Sequence, residues 1–160
     1  MQIKEITKDV QIDQFFMDHW GSEFIVSKGE QLYGHDLDAL AIFSGEEIVG
    51  LLTYFVKDSD CEIVSLDSLR EKQGIGTALI EKMIEKAKDF KIKRLWLMTT
   101  NDNTDAMRFY QKRGFVFKAV YPNVIEESRK LKKNIPKYGN YNIPIRDEIE
   151  FEYPLNQELS

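Results

Sequence analysis

The stretch "EKQGIGTALIEKMIEKAKDF", residues Glu71–Phe90, sets two glycines around one isoleucine immediately before a long amphipathic run. A backbone this bare ahead of a helix exposes N–H groups at the helix N-terminus, where the helix dipole favours an anion and above all a phosphate. Leu79, Ile80, Met83, Ile84, Ala87 and Phe90 recur at i, i+3, i+4 and i+7 and predict a helix after Gly76. Two phosphate loops are excluded. A P-loop requires lysine and then Ser or Thr after its last glycine, but Gly76 is followed by Thr77 and Ala78. The dinucleotide fingerprint needs Gly or Ala three residues after Gly76, where Leu79 stands. Taken alone, the stretch is equally a strand-to-helix turn that happens to use glycines.

Upstream, "QIKEI" alternates as a first strand, and "DVQIDQFFMDHWG" has helical spacing, with Ile12, Phe15, Phe16 and Trp20 on one side and Gly21 as its stop. "LAIFSGEEIVGLLTYFV" predicts a hairpin turning at "SGEE", and "CEIVSLDSL" a further strand centred on Ile63 and Val64. Downstream, "KRLWLMTT" predicts a buried strand and "NTDAMRFYQKRG" a helix capped by Asn103 and stopped by Gly114. "FVFKAVY" is a strand of period two. Residues 122–142 are polar and lysine-rich, with one helix expected over "VIEESRKLKK", and "IRDEIEFEYPL" closes the chain as a strand. This order implies an α/β protein with a mixed sheet and right-handed crossovers. No repeat, low-complexity tract or linker divides the 160 residues, so a single domain over 1–160 is expected.

The formal charge of -5 and a pI near 5.2 argue against nucleic acid or an anionic membrane as the main partner and suit a cationic small molecule. Cys61 is the only cysteine, which excludes an intrachain disulfide and disfavours a structural zinc site. "MQIKEITKDV" has no apolar signal-peptide core, and no apolar run reaches the ~18–20 residues of a membrane span. The expectation is a soluble cytoplasmic protein without a metal.

"SLREKQGIGTALI" followed by "LWLMTTNDNTDAMRFYQKRGF" resembles the GNAT N-acetyltransferase superfamily, over roughly residues 37–121. The superfamily pattern is R/Q-x-x-G-x-G/A opening a helix, then a strand, then N-x-x-A-x-x-x-Y with a closing G-F. Gly74, Ile75 and Gly76 match the first part; Asn103, Ala106, Tyr110, Gly114 and Phe115 match the second. The resemblance implies the GNAT fold, a mixed central β-sheet flanked by helices and splayed to admit acyl-CoA. It implies transfer of acetyl from acetyl-CoA to a primary amine by direct nucleophilic attack. A GNAT-fold module that binds acetyl-CoA as a sensor or scaffold, without turnover, is the alternative. The acceptor expected is a small-molecule amine rather than a protein, and a homodimer is left open.

By the same resemblance, the coenzyme A pyrophosphate would sit over Lys72, Gln73, Gly74, Ile75, Gly76 and Thr77. The pantetheine would pair like an extra strand with the backbone at Val64, Ser65 and Leu66. Asn103 would contact or align it, act as a helix cap, or do both. Glu71 departs from the usual Arg or Gln, and should face solvent so that its charge does not repel phosphate. Tyr110 is the expected acid. A tyrosine (pKa ~10) is protonated at neutral pH and can supply a proton to the departing thiolate (pKa ~8.5); otherwise it is a core residue beside Phe109. The general base stays open. Where many relatives carry a strand glutamate, this chain has Met98, and the candidates are Glu62, Asp67, His19, His35, Glu148, Glu150 or a water chain. The basic run "SRKLKKNIPKYGN" would reach the ribose phosphate or RNA, or simply be solvated.

Overall fold

The computed structural model describes residues 1–27 and 29–155. By contact they form two compact units, residues 1–25 with 32–93 and residues 26–31 with 94–155.

In the first unit, β1 (Ile3–Thr7) leads into α1 (Val10–Trp20). Asp9 caps that helix by accepting from the Gln11 N–H at 2.9 Å, and Gly21 ends it in the left-handed conformation, φ 70°. Along the chain a short ribbon follows, β2 (Phe24–Ser27) with β3 (Glu30–Tyr33), whose central residues count with the second unit, and then a 3-10 turn over Gly34–Asp36 in the first. The sequence reading assigned nothing to the ribbon, because its strands are four residues each and do not alternate cleanly. β4 (Asp38–Ser44) and β5 (Glu47–Lys57) make the expected hairpin, turning at Gly45 with φ +64°. β6 (Asp60–Ser68) pairs with β5, giving an antiparallel order β1-β4-β5-β6.

α1 covers one face of this sheet through Ile12, Phe15 and Phe16, which bury against Leu37, Ala39, Ala41 and Leu51. α2 (Ile75–Asp89) packs against β4, β5 and β6 with Leu79, Ile80, Met83 and Ala87 turned inward. Phe90 departs from the expected apolar stripe. It lies past the end of α2, 67% exposed, with the Lys86 ammonium 4.6 Å from its ring centroid.

The second unit holds β7 (Arg94–Thr100), α3 (Thr104–Lys112), β8 (Val116–Tyr121), α4 (Ile125–Leu131) and β9 (Glu148–Tyr153). β9 lies between β7 and β8, antiparallel to both. Alternation along β8 is broken by a register shift between Phe117 and Ala119, the reason its period of two is imperfect. An aromatic cluster of Tyr110, Phe115, Phe117, Phe151 and Tyr153 fills the side of this sheet that faces α3.

Candidate active site

The glycine loop has the backbone geometry of a phosphate cradle. Ile75 is the first helical residue, and its side chain is buried, so the chain is pinned while the loop backbone stays outside. Its seat is β5: a Cβ on Gly50 would collide with Ile75 Cγ2. Lys72 (φ 60°) and Gly74 (φ 71°) both adopt the left-handed conformation with Gln73 between them, the alternation that turns successive N–H groups toward one concavity. No side chain caps α2 and no acid stands in its first turn, leaving its N-terminal dipole to an anion. Glu71 is exposed, as expected. These features fit a pyrophosphate.

On β6, a register shift against β5 leaves Val64 as an extra residue, because Thr53 pairs with Ser65 while Tyr54 pairs with Ile63. Such a residue drops out of the ladder, so its backbone groups can pair with another chain-like molecule. The Ser65 and Thr53 hydroxyls stand 2.5 Å apart on the face that also carries Asp67, two residues along β6. Asp67 Oδ1 accepts from Trp20 Nε1–H at 3.3 Å, while its Oδ2 is buried without a hydrogen-bond partner. Burial pushes this carboxyl up to about 6, only partly opposed by the indole hydrogen bond.

In the second unit Asn103 is the N-cap of α3, its Oδ1 accepting from the Ala106 N–H at 3.3 Å. The cap occupies the oxygen and leaves the amide nitrogen as a donor. Two helical turns on, Tyr110 is 9% exposed, edge-on to Phe109 and Phe115. It is thus a packed aromatic residue, whatever its hydroxyl does.

Beside Asn103 the sequence reading missed a device. Asp102 is buried and accepts from the backbone and side-chain nitrogens of Asn140 at 2.9 and 3.0 Å. Asn101 accepts from the N–H groups of Arg146 and Asp147 and donates to the Pro144 carbonyl. The "NDN" ahead of the helix therefore fastens the segment 139–147. A Cβ on Gly139 would collide with the Asp102 carboxylate. The one sequence signal was three adjacent Asx residues where one cap would suffice.

Among the other base candidates, Glu148 also has a buried oxygen, Oε1, without a hydrogen-bond partner, while the histidines and Glu150 are engaged or exposed. The His35 ring is 2.9 Å from Asp13 Oδ2, and His19 is exposed with its ring against Phe15. Glu150, directly across from Met98, is held by Arg94 and by the Tyr121 hydroxyl at 2.9 Å. Glu62 and Glu148 are buried in their strands. The basic run is structural in part. The Arg129 guanidinium donates to the carbonyls of Pro136 and Ile145 at 2.8 and 2.9 Å, and Lys130 pairs with Glu127.

The profile of the Acetyltransferase (GNAT) family matches residues 5–115. The chain belongs to that family and is an acyl-CoA-dependent acetyltransferase. It is 48% identical to the uncharacterized protein YdhI of Bacillus subtilis over 150 residues, 92% of each chain. It is 44% identical to the uncharacterized protein YxbD of the same organism over 148 residues, 91% of each. Among solved structures, the fold is shared with an IAA acetyltransferase from Bacillus cereus (TM-score 0.76, 19% identity, 95% of this chain and 97% of that one). It is also shared with a GNAT family acetyltransferase from Elizabethkingia anophelis with acetyl-CoA bound (TM-score 0.67, 21% identity, 96% and 97%).

Proposed function

We propose that residues 1–160 work as one N-acetyltransferase domain that acetylates a small primary amine, with Asp67 receiving the amine's proton. The observation that carries this reading is the state of Asp67. It is a half-buried carboxyl with one oxygen steadied by Trp20 and the other, Oδ2, buried without a donor, its pKa raised to about 6. Above that pH it is a carboxylate beside an indole, a setting that attracts an ammonium and can take its proton directly or through one water. Its burial favours a small acceptor over a protein chain.

Acetyl-CoA supplies the acetyl group already activated as a thioester. Lys72, Gln73, Gly74, Ile75, Gly76 and Thr77 would hold its pyrophosphate through backbone N–H groups, and Val64, Ser65 and Leu66 would offer strand-like pairing to its pantetheine arm. The Asn103 amide nitrogen would add a donor. The Tyr110 hydroxyl would give or share a proton as the thiol leaves.

The test begins with acetyl-CoA turnover against polyamines, amino acids, aminoglycosides and peptides, and continues as a pH–rate profile on the best acceptor. We expect kcat to rise as pH passes about 6, where Asp67 loses its proton. Asp67→Asn should abolish that limb and lower kcat ~10²–10⁴-fold, and Tyr110→Phe should cost a similar factor with KM for acetyl-CoA nearly constant. A full-rate Asp67→Asn enzyme that keeps its limb would place the base elsewhere. Tight acetyl-CoA binding with no amine turned over would instead support the sensor.

A further inference from the structure

The first unit contains a cavity of about 350 Å³ at the opposite end of α2 from the phosphate loop. Its walls come from Tyr54 and Val56 on β5, Cys61 on β6, Met83 and Ala87 on α2, and Phe90 and Ile92 just beyond it. Asp38, at the start of β4, and Asp58, in the β5–β6 turn, are its acids, and Lys86 is its one base. From Ile75 to Ala87 is twelve residues, roughly 18 Å of helix, so this cavity does not overlap the phosphate cradle.

Its electrostatics are lopsided. The Lys86 ammonium is already paired with Glu5, leaving two carboxylates against no uncommitted cation among the lining residues. Asp38 is poorly satisfied: its Oδ1 is buried and has no hydrogen-bond partner. The surroundings register the excess negative charge. Burial first, then Asp60, Glu62 and Asp38, push the Cys61 thiol up to about 12. Burial, then Asp38 and Glu5, push the Tyr54 phenol upward as well, so that both stay protonated. A volume at the small end of ligand pockets, apolar on most sides and carrying one under-satisfied carboxylate, matches one kind of guest.

We propose that this cavity is a second small-molecule site that takes a primary ammonium bearing a short apolar tail, the ammonium toward Asp38 and the tail against Met83, Ala87, Phe90 and Ile92. A neutral guest would leave the carboxylate as it is, and an anionic one would be repelled by it. The site is independent of the acceptor reading at Asp67.

Backbone amide NMR of the full chain, titrated separately with hexylammonium, hexan-1-ol and hexanoate, tests this. Hexylammonium should shift amides of residues 83–92 and around Asp38 saturably, hexan-1-ol should bind ~10-fold or more weakly, and hexanoate should not bind. Asp38→Asn should weaken hexylammonium by ~10-fold or more, a charge-assisted hydrogen bond being lost. Phe90→Ala, at an exposed position that cannot threaten the core, should weaken it too. Shifts confined to the neighbourhood of Asp67 would assign the ammonium to the acceptor site and overturn the proposal. So would hexan-1-ol binding as tightly as hexylammonium, or both variants binding like the unmodified protein.

Discussion

In the proposed reading, Asp67 serves chemistry at the expense of stability. Its folded pKa, about 6, lies above the ~3.9 of an unfolded aspartate, so between those values the folded state holds more protons. The sign follows: the fold is undisturbed by this group below pH ~4 and loses stability as pH rises through 6. The roughly two-unit gap corresponds to at most ~3 kcal/mol, and residual solvation trims that to about 2. Asp67→Asn keeps the acceptor for Trp20 Nε1–H while removing the buried charge. We expect it to be about 2 kcal/mol more stable than the unmodified protein at pH 8 and equal to it near pH 4, by urea melts. A variant destabilised at both pH values would show Asp67 to be structural. The sequence offered this aspartate only as one of several bases, because neither its burial nor the indole 47 positions away is written in its neighbours.

At the scale of elements, the seat of α2 on β5 decides whether the phosphate cradle keeps its shape. The sequence reading places Ile75 in the loop under the pyrophosphate; the structure also makes it the anchor of the helix, with Gly50 as its socket. Gly50→Ala should therefore cost ~1–3 kcal/mol by overpacking and weaken coenzyme A binding, because the added methyl displaces the first turn of the helix. Ile75→Ala, which removes the colliding Cγ2, should cost ~2–5 kcal/mol alone, and the double variant should cost clearly less than the sum. Strict additivity would mean that the two residues do not press on each other. The elements themselves were legible where periodicity was long: α1, α2, the β4–β5 hairpin and α3 stand where the spacing predicts them. The β2–β3 ribbon was not, and neither was the fastening of residues 139–147 by Asn101 and Asp102, since it joins segments about forty residues apart through single side chains. Resemblance supplied what periodicity could not, namely which glycines and which tyrosine to watch.

For the molecule as a whole, the sharpest expectation concerns how an acidic chain holds an anionic substrate. With a formal charge of -5, the long-range field opposes coenzyme A, so attraction must come from short-range backbone donors in the loop and from the N-terminus of α2. Because only the folded protein has that loop, acetyl-CoA at ~100 times its Kd should stabilise the fold by ~2.7 kcal/mol, a rise of roughly 5–11 °C in melting temperature for a chain of this size. The salt dependence should be shallow. Screening weakens the attraction of Lys72 and the repulsion of the whole chain together, so Kd should change by less than ~3-fold between 50 and 300 mM salt. Gly76→Val should erase the thermal shift while leaving the unliganded melt recognisable, since a side chain in the first turn of the helix would push the phosphate off the amides. Differential scanning calorimetry with and without acetyl-CoA, at both salt concentrations, measures all three quantities. A melt unmoved by saturating acetyl-CoA would remove the cradle from both the enzyme and the sensor readings. A steep loss of affinity with salt would show lysines, rather than backbone dipoles, to be holding the phosphates.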